Sequence, residues 1–358
     1  MTTDKKDVNL TIVSGNILLG GAVMGVTIDD VAKHAGVSTA TVSRYLNNSP
    51  YIAPKSREKV RKSMEVLNYQ PSFVARSLAG ANTSIIAFVV NSTDVNTYGN
   101  DYFLRIQYGI EATLGKWGYY LLIINVSNDE SGESNIRKLV LEKRVDGMIL
   151  PSELANETML SLLQSQGIPF LVIGRNENAS YDWVDINNER GGYLAAQRLL
   201  QNGCNSLAFI TSSFEKLFVA QRFQGYQTAL KEYDKAANQM LLKTGCFSTQ
   251  DGETAASELL ASNPDIDAFL CTDNVVGFGV LSELKRRNIT VPQQIQVISF
   301  DNSVISELSK PKLSVVDIDV FLLGKQAAEL LLYMIKNAQE NPSSRLIDVS
   351  IITKGSSY

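Results

Sequence analysis

The sequence predicts an α/β protein in two unequal parts: a small all-α helix-turn-helix head, then a doubly wound body of two lobes. Three observations carry this. Apolar positions between residues 27 and 67 recur at helical spacing, and past residue 84 short runs rich in Val, Ile and Phe alternate with helical stretches. Charge is also divided unevenly. Residues 26–82 hold eight basic side chains (Lys33, Arg44, Lys55, Arg57, Lys59, Arg61, Lys62, Arg76) against four acids (Asp29, Asp30, Glu58, Glu65), a net of +4. Residues 83–358 hold 23 basic and 31 acidic groups, a net of −8. A small basic head on a large acidic body implies that the head meets a polyanion and the body does not.

Composition narrows the function classes. With 358 residues, 44% of them apolar, the chain can bury two or three cores, which excludes disorder. No apolar run reaches the roughly 18 residues of a membrane span, so no membrane partner is expected. One histidine (His34) and three scattered cysteines (Cys204, Cys246, Cys271) leave no expected metal site, no Ser-His-Asp catalysis and no disulfide framework. The odd cysteine count suits a reducing cytoplasm, the expected location.

Residues 1–25 are expected to be a disordered tail or a start set too early. The apolar stretch Leu10–Val23 is interrupted by Ser14, Gly15 and Asn16 and lacks a signal-peptidase site. Gly20-Gly21 can be encoded by GGAGGN, a ribosome-binding sequence two codons before Met24, so translation from Met24 is the expectation.

The head begins at Thr27-Ile-Asp-Asp30, a capping-box start. Val31, Ala32 and Ala35 form one apolar face and Gly36 closes the helix. Ser38 caps a second helix, Ser38 to Asn47, with Val42 and Leu46 inward and Thr39, Ala40, Ser43, Arg44 and Asn47 outward. Short polar groups with one guanidinium suit close approach to base edges and phosphates. Pro54 opens a third helix with Val60, Met64 and Leu67 as its buried stripe; its five basic residues read equally well as a solvated face. Tyr69-Gln70-Pro71 ends it. Ser72 to Ala79 is a short helical candidate closed by Gly80, too short to be stable alone.

In the body, strands are predicted at Ile85–Val90, Tyr120–Val126, Gly147–Leu150, Phe170–Ile173, Ser206–Thr211, Ala268–Cys271 and Gln296–Phe300. Helices are predicted at Asp101–Trp117, Ile136–Lys143, Glu189–Gln201, Arg222–Tyr233 and Val275–Arg287. Such alternation implies parallel sheets covered on both faces, and roughly 270 residues favour two lobes over one sheet. No catalytic constellation emerges. Gly277-Phe-Gly279 lacks a third glycine, no glycine-rich loop ends in Gly-Lys-Ser/Thr, and carboxylates are too plentiful to single out a pair. The chain is therefore expected not to be an enzyme and to need no cofactor.

VTIDDVAKHAGVSTATVSRYLNN followed by REKVRKSMEVLNYQPSFVARSLAG resembles the headpiece and hinge of the lactose/galactose repressor family, and the likeness extends from Val26 to about Thr353. The resemblance divides the chain into a headpiece over 26–71, a hinge helix and linker over 72–83, and an effector-binding, dimerising core over 84–358. It implies that Thr39, Ala40 and Arg44 read the major groove, that Ser38, Thr41, Asn47 and Tyr51 hold phosphates, and that Thr27 and Ala75 also lie against DNA. Leu78 of the hinge would wedge between base steps in the minor groove and kink the duplex.

VIGRN, VDINNERGGYLAAQRLL, RFQGYQTAL, TDNVVGFGVLSELK and VISFDNS resemble the family's core, whose fold is that of periplasmic binding proteins: two lobes closing on a ligand at the C-terminal ends of their strands. The resemblance implies crossovers near residues 184, 315 and 340. Lobe 1 would then hold about 84–183 and 316–340, and lobe 2 about 184–315 and 341–358. Arg222, Asp273 and Asp301 take positions that grip a sugar's hydroxyls, with Arg175 near the cleft. An Arg222–Asp301 structural ion pair is the alternative. Phe247 falls where an aromatic stacks on a pyranose, or else fills the core. Tyr98, Tyr102 and Phe103 enter from lobe 1, although the Asn91–Asp101 loop departs from the family's pattern. Within the family the chain looks most like maltose-type repressors of Gram-positive bacteria, so a small sugar effector such as maltose is expected. No heptad tail follows the last strand, so a homodimer on a two-fold DNA operator is expected. The alternatives are a corepressor-dependent regulator and a sugar-binding transport protein.

Overall fold

The computed structural model describes residues 11–13, 16–19, 22–46, 49–69, 82–91, 101–126, 130–175, 181–235, 241–337 and 344–358. The chain divides into two compact units, Met1–Thr83 and Ser84–Tyr358.

In the first unit, the segment expected to be a disordered tail instead contains three short strands, β1 (Thr11–Val13), β2 (Asn16–Leu19) and β3 (Ala22–Gly25), paired as an antiparallel meander. Apolar stretches this short, interrupted in sequence by Ser14-Gly15 and Gly20-Gly21, are too broken for a helix. Helix α1 (Ile28–Ala35) opens with the expected capping box and ends at Gly36, whose φ of +64° is the left-handed region that glycine enters without strain. Helix α2 (Thr39–Leu46) follows, with Thr41 N–H donating to Ser38 Oγ at 3.2 Å as its cap. Helix α3 (Pro54–Val66) starts on proline and stops short of Pro71, with Asn68 at φ +48°. Val31, Ala32, Ala35, Val42, Val60, Leu67 and Tyr69 make the core, and Met64 is half-buried beside it. His34, the only histidine of the chain, joins α1 to α3 through a 3.0 Å hydrogen bond between its Nδ1 and Ser63 Oγ.

The second unit holds two six-stranded sheets. Lobe 1 runs β4 (Ile85–Asn91), α4 (Asp101–Gly115), β5 (Tyr120–Val126), α5 (Glu130–Leu141), β6 (Gly147–Pro151), α6 (Glu157–Ser165), β7 (Phe170–Ile173) and β8 (Trp183–Ile186). Lobe 2 runs α7 (Asn188–Gln201), β9 (Leu207–Ile210), α8 (Leu217–Glu232), β10 (Leu242–Lys243), α9 (Thr249–Ser262), β11 (Ala268–Cys271), α10 (Asn274–Arg286), β12 (Gln296–Phe300), α11 (Val304–Leu308) and β13 (Ser314–Asp317). The chain then returns to lobe 1 with α12 (Val320–Lys336) and β14 (Arg345–Ile347), and ends in lobe 2 with β15 (Ser350–Ile352). Strand order is β14-β8-β7-β6-β4-β5 in lobe 1 and β10-β9-β11-β12-β13-β15 in lobe 2. Every pairing is parallel except β13 with β15. The crossovers fall after Ile186, Asp317 and Ile347, each later than the expected 184, 315 and 340. Strand β8 runs on to Ile186, β13 of lobe 2 to Asp317, and β14 joins the lobe 1 sheet as far as Ile347, which places each boundary later.

Alternation along each strand builds two layers. Ile86, Phe88 and Val90 of β4 face the layer of α4 and α12, and Ala87 and Val89 face that of α5 and α6. In lobe 2, Leu207 and Phe209 lie with α7 and α8, and Ala208 and Ile210 with α9 and α10. A Cβ added at Gly192 would stand 1.9 Å from Arg222 O, and one at Gly225 1.9 Å from Glu189 O. The two glycines let the backbones of α7 and α8 touch, which sets the depth at which Arg222 enters the lobe.

Candidate DNA-binding face and effector cleft

On the head, α2 turns Val42 into the core and leaves Thr39, Ala40 and Arg44 exposed, one helix face with the three residues expected at base edges. Ser38 and Thr41 hydroxyls lie 2.9 Å apart, and Tyr51 is 87% exposed. Thr27 is differently placed. Its N–H donates to Asp30 Oδ2 at 2.9 Å and its hydroxyl to the same oxygen at 2.7 Å, so both donors serve the capping box rather than a phosphate. Those bonds, the hydroxyl's first, hold the Asp30 carboxyl below its usual range. The basic residues of α3 are not equivalent. Arg61 pairs with Glu58 and Glu65, Lys62 stands 3.8 Å from Glu58, and Arg57 donates to Ser49 O at 2.9 Å, while Lys55 and Lys59 stay exposed. Asn47, Ala75, Leu78 and Tyr98 lie outside the described residues.

In the body, the expected effector residues gather where strands of both sheets end. Arg222 enters from α8, Asp273 follows β11, Asp301 follows β12, Arg175 follows β7, and Tyr102 opens α4. The C-terminal edge of parallel strands is where such sheets leave a crevice for ligands. Arg222 is buried. Its Nε donates to Asn188 Oδ1 at 2.9 Å and its Nη1 to Thr272 O at 2.7 Å, while the guanidinium lies over the Phe300 ring, 3.9 Å from the centroid. Burial pulls its pKa down to about 10, against the opposing pull of Tyr102, Asp273, Asp185 and Asp301. The same burial, then Asp185, raises the Tyr102 phenol.

The alternative Arg222–Asp301 ion pair is not what forms. Asp301 Oδ1 faces Arg105 Nη1 at 3.4 Å and its Oδ2 accepts from Asn274 Nδ2 at 3.2 Å. Burial pushes the Asp301 carboxyl up to about 6, with Arg105 pulling the other way. Asp273 caps α10, its Oδ1 accepting from Val275 N–H at 2.7 Å. Arg175 is half-buried and its backbone N–H donates to Asp185 Oδ2 at 2.9 Å. Phe247 is 60% exposed, which removes the core-filler reading; Lys216 Nζ stands 5.7 Å from its ring and 5.9 Å from that of Phe218. Phe218 in turn lies 4.9 Å from the Arg222 guanidinium, so cation–π contacts run from Phe247 to the buried arginine.

Sequence reasoning missed Asp185, Asn188 and Arg105. Asp185 is buried, its carboxyl raised by burial and held back by the N–H groups of Arg175 and Ile186. Both Asp185 and Asn188 stand in the VDINNERGG motif, where a polar pair bracketing a strand end was the available signal. Arg105 has none, because its partner lies 196 residues away.

Among the described residues no group of three or more His, Cys, Asp or Glu could hold a metal ion, and no helix is long and apolar enough to cross a membrane. Residues 27–72 match the family model described as bacterial regulatory proteins, lacI family, and residues 83–355 match that of periplasmic binding proteins and sugar binding domain of LacI family. The HTH-type transcriptional repressor PurR of Haemophilus influenzae (strain PittEE) is 31% identical over 88% of this chain and 92% of that protein. Its namesake of Vibrio campbellii is 33% identical over 87% and 93%. A transcriptional regulator CelR-cellobiose complex superposes with a TM-score of 0.71 at 26% identity, covering 92% of this chain and 99% of that one. The lac repressor dimer bound to operator and an anti-inducer superposes at 0.77 with 23% identity, covering 92% and 98%, a likeness of fold.

Proposed function

The chain belongs to the LacI family of bacterial regulatory proteins, a family of DNA-binding transcriptional regulators, and we propose that it acts as a dimeric cytoplasmic repressor of carbohydrate-utilisation genes, released by a small glucoside such as maltose. Two heads would present Thr39, Ala40 and Arg44 to the half-sites of a two-fold operator, and residues 72–83 would form the hinge that carries Leu78 into the minor groove. Support for self-association comes from edge strand β5, which leaves Tyr120, Leu122 and Ile123 exposed.

One observation carries the effector reading: the guanidinium of Arg222 is deeply buried, and the charges of Asp273, Asp185 and Asp301 act on it. Carboxylates accept hydrogen bonds from hydroxyls and repel anions, and a guanidinium spans two hydroxyl oxygens, so a neutral polyol fits the site's chemistry. Phe247 offers an exposed ring on which a pyranose face can stack. The relative solved with cellobiose points the same way. Sugar binding that changes the angle between lobes would unpair the hinges and lower operator affinity through a coupling of about 1–3 kcal/mol.

A second reading, a purine base as effector, is favoured by the relatives named PurR. Fluorescence anisotropy on a duplex from the protein's own upstream region separates the readings. It is run against a scrambled duplex, over a salt series, with maltose, sucrose, galactose, ribose and guanine. Salt-sensitive, sequence-specific binding that maltose weakens supports the proposal. An effect of guanine alone, in either direction, selects the purine reading; strengthening by any of them makes the protein corepressor-dependent, and no preference over scrambled DNA overturns the operator assignment.

A further inference from the structure

Arg105 projects from α4 of lobe 1 onto the segment that follows β12 of lobe 2. Its Nη1 stands 3.4 Å from Asp301 Oδ1 and donates to Asn302 O at 3.0 Å. Among the described residues no other ion pair joins the two lobes. We propose that Arg105 is a positioning residue for Asp301 and the lobe 1 half of a latch that holds the two lobes in one orientation before any effector binds.

Both halves are fixed to their own lobes, which is what lets one contact set the angle between them. On lobe 1, α4 is locked to α12: a Cβ at Gly109 would stand 2.2 Å from Phe321 O, and one at Gly324 2.1 Å from Ile106 O. Asp101, one turn earlier on α4, places Oδ2 4.0 Å from Arg105 Nη1 and steadies the side chain. On lobe 2, Asp301 has a φ of +75° and takes a second bond from Asn274, and Asn302 is gripped by Lys354, whose Nζ donates to Asn302 Oδ1 at 2.8 Å and to Ser306 Oγ at 2.9 Å. Lys354 also pairs with Glu307 at 2.6 Å. The target of Arg105 is therefore a loop braced from behind, so that rigid-body movement of one lobe against the other lengthens the contact.

The consequence rests on reading Asp301 as an effector contact. Each of its oxygens already accepts one bond, Oδ1 from lobe 1 and Oδ2 from lobe 2. A ligand hydroxyl that takes Oδ1 competes with Arg105 and loosens the latch, whereas one that uses the remaining lone pairs binds on top of it and tightens it. Arg105 thus decides which lobe arrangement an Asp301-binding ligand selects.

The test needs neither DNA nor sugar, so its failure is distinct from failure of the functional reading. Spin labels on Gln164→Cys in lobe 1 and Lys285→Cys in lobe 2, both exposed positions, report the lobe-to-lobe distance in the full-length protein by double electron–electron resonance, the three native cysteines being buried. The expected result is one narrow distribution with Arg105 present, a broadened or displaced one in Arg105→Gln, and partial return in Arg105→Lys, which keeps the charge. A distribution for Arg105→Gln that superposes on that of the unaltered chain overturns the latch, as does an Arg105→Lys variant no closer to it than the glutamine.

Discussion

The guanidinium of Arg222 lies over the Phe300 ring, 3.9 Å from the centroid, with its Nη1 bound to the carbonyl of Thr272 at 2.7 Å. A cation so enclosed keeps its charge through a backbone dipole, an aromatic face and carboxylates that stand back from it rather than through a direct ion pair. The site is thereby ready to exchange part of that surrounding for a ligand's hydroxyls.

Replacing Arg222 with alanine should abolish the response of operator binding to the effector while leaving the affinity for operator DNA unchanged. Loss of the side chain also strands Asn188 Oδ1 and Thr272 O, which should lower stability by about 1–3 kcal/mol. Anisotropy and urea unfolding read the two effects separately. A variant that still responds normally removes Arg222 from the site.

Arg44 is the exposed cation of α2, and Lys62 an exposed cation of α3. Arg44→Ala should weaken specific binding by about 1–3 kcal/mol and relax preference at one base position, whereas Lys62→Ala should leave discrimination intact. Leu78→Ala should weaken operator binding and spare binding to scrambled DNA. Equal losses on both duplexes would contradict a wedge.

Gly225→Ala drives a methyl group to 1.9 Å from Glu189 O and must separate α7 from α8. The expected cost is about 1–3 kcal/mol of overpacking, together with a displaced Arg222 and a weaker effector response. A thermal melt and an effector titration that both match the unaltered protein would mean that the helices part without effect.

Glu283 is 3% exposed and bonded to Arg286 and Arg287, and these bonds, that from Arg286 first, hold its carboxyl down to about 2, against an ordinary 4.5. A depressed acid stabilises the fold above its unfolded pKa and loses that contribution as pH falls toward the folded one. Glu283→Gln should therefore melt lower than the unaltered protein at pH 7, with the gap closing between about pH 4.5 and 2. A gap of constant size across that window would show that the charge contributes nothing.

Local chemistry wrote much of this protein into its sequence. The Thr27–Asp30 capping box, the left-handed Gly36 and the apolar spacing of Val31, Ala35 and Val42 define the head without reference to anything distant, because each acts within a turn or two of helix. Central strands such as β4, β6, β7, β9, β11 and β12 were legible for a similar reason: a strand buried on both faces has to be a short apolar run. Short strands such as β10, β14 and β15 were not, since an edge pairing of two or three residues leaves no periodicity.

The sequence by itself determined most of the elements and the family resemblance, and through that resemblance it singled out Arg222, Asp273 and Asp301. Tertiary structure alone decided their partners. Nothing in the chain's pattern says that Asp301 meets Arg105, 196 residues away, rather than Arg222. Local propensity chooses backbone conformation one turn at a time, whereas the pairing of buried charges is settled by where packed helices and sheets bring them, and only the assembled lobes fix that.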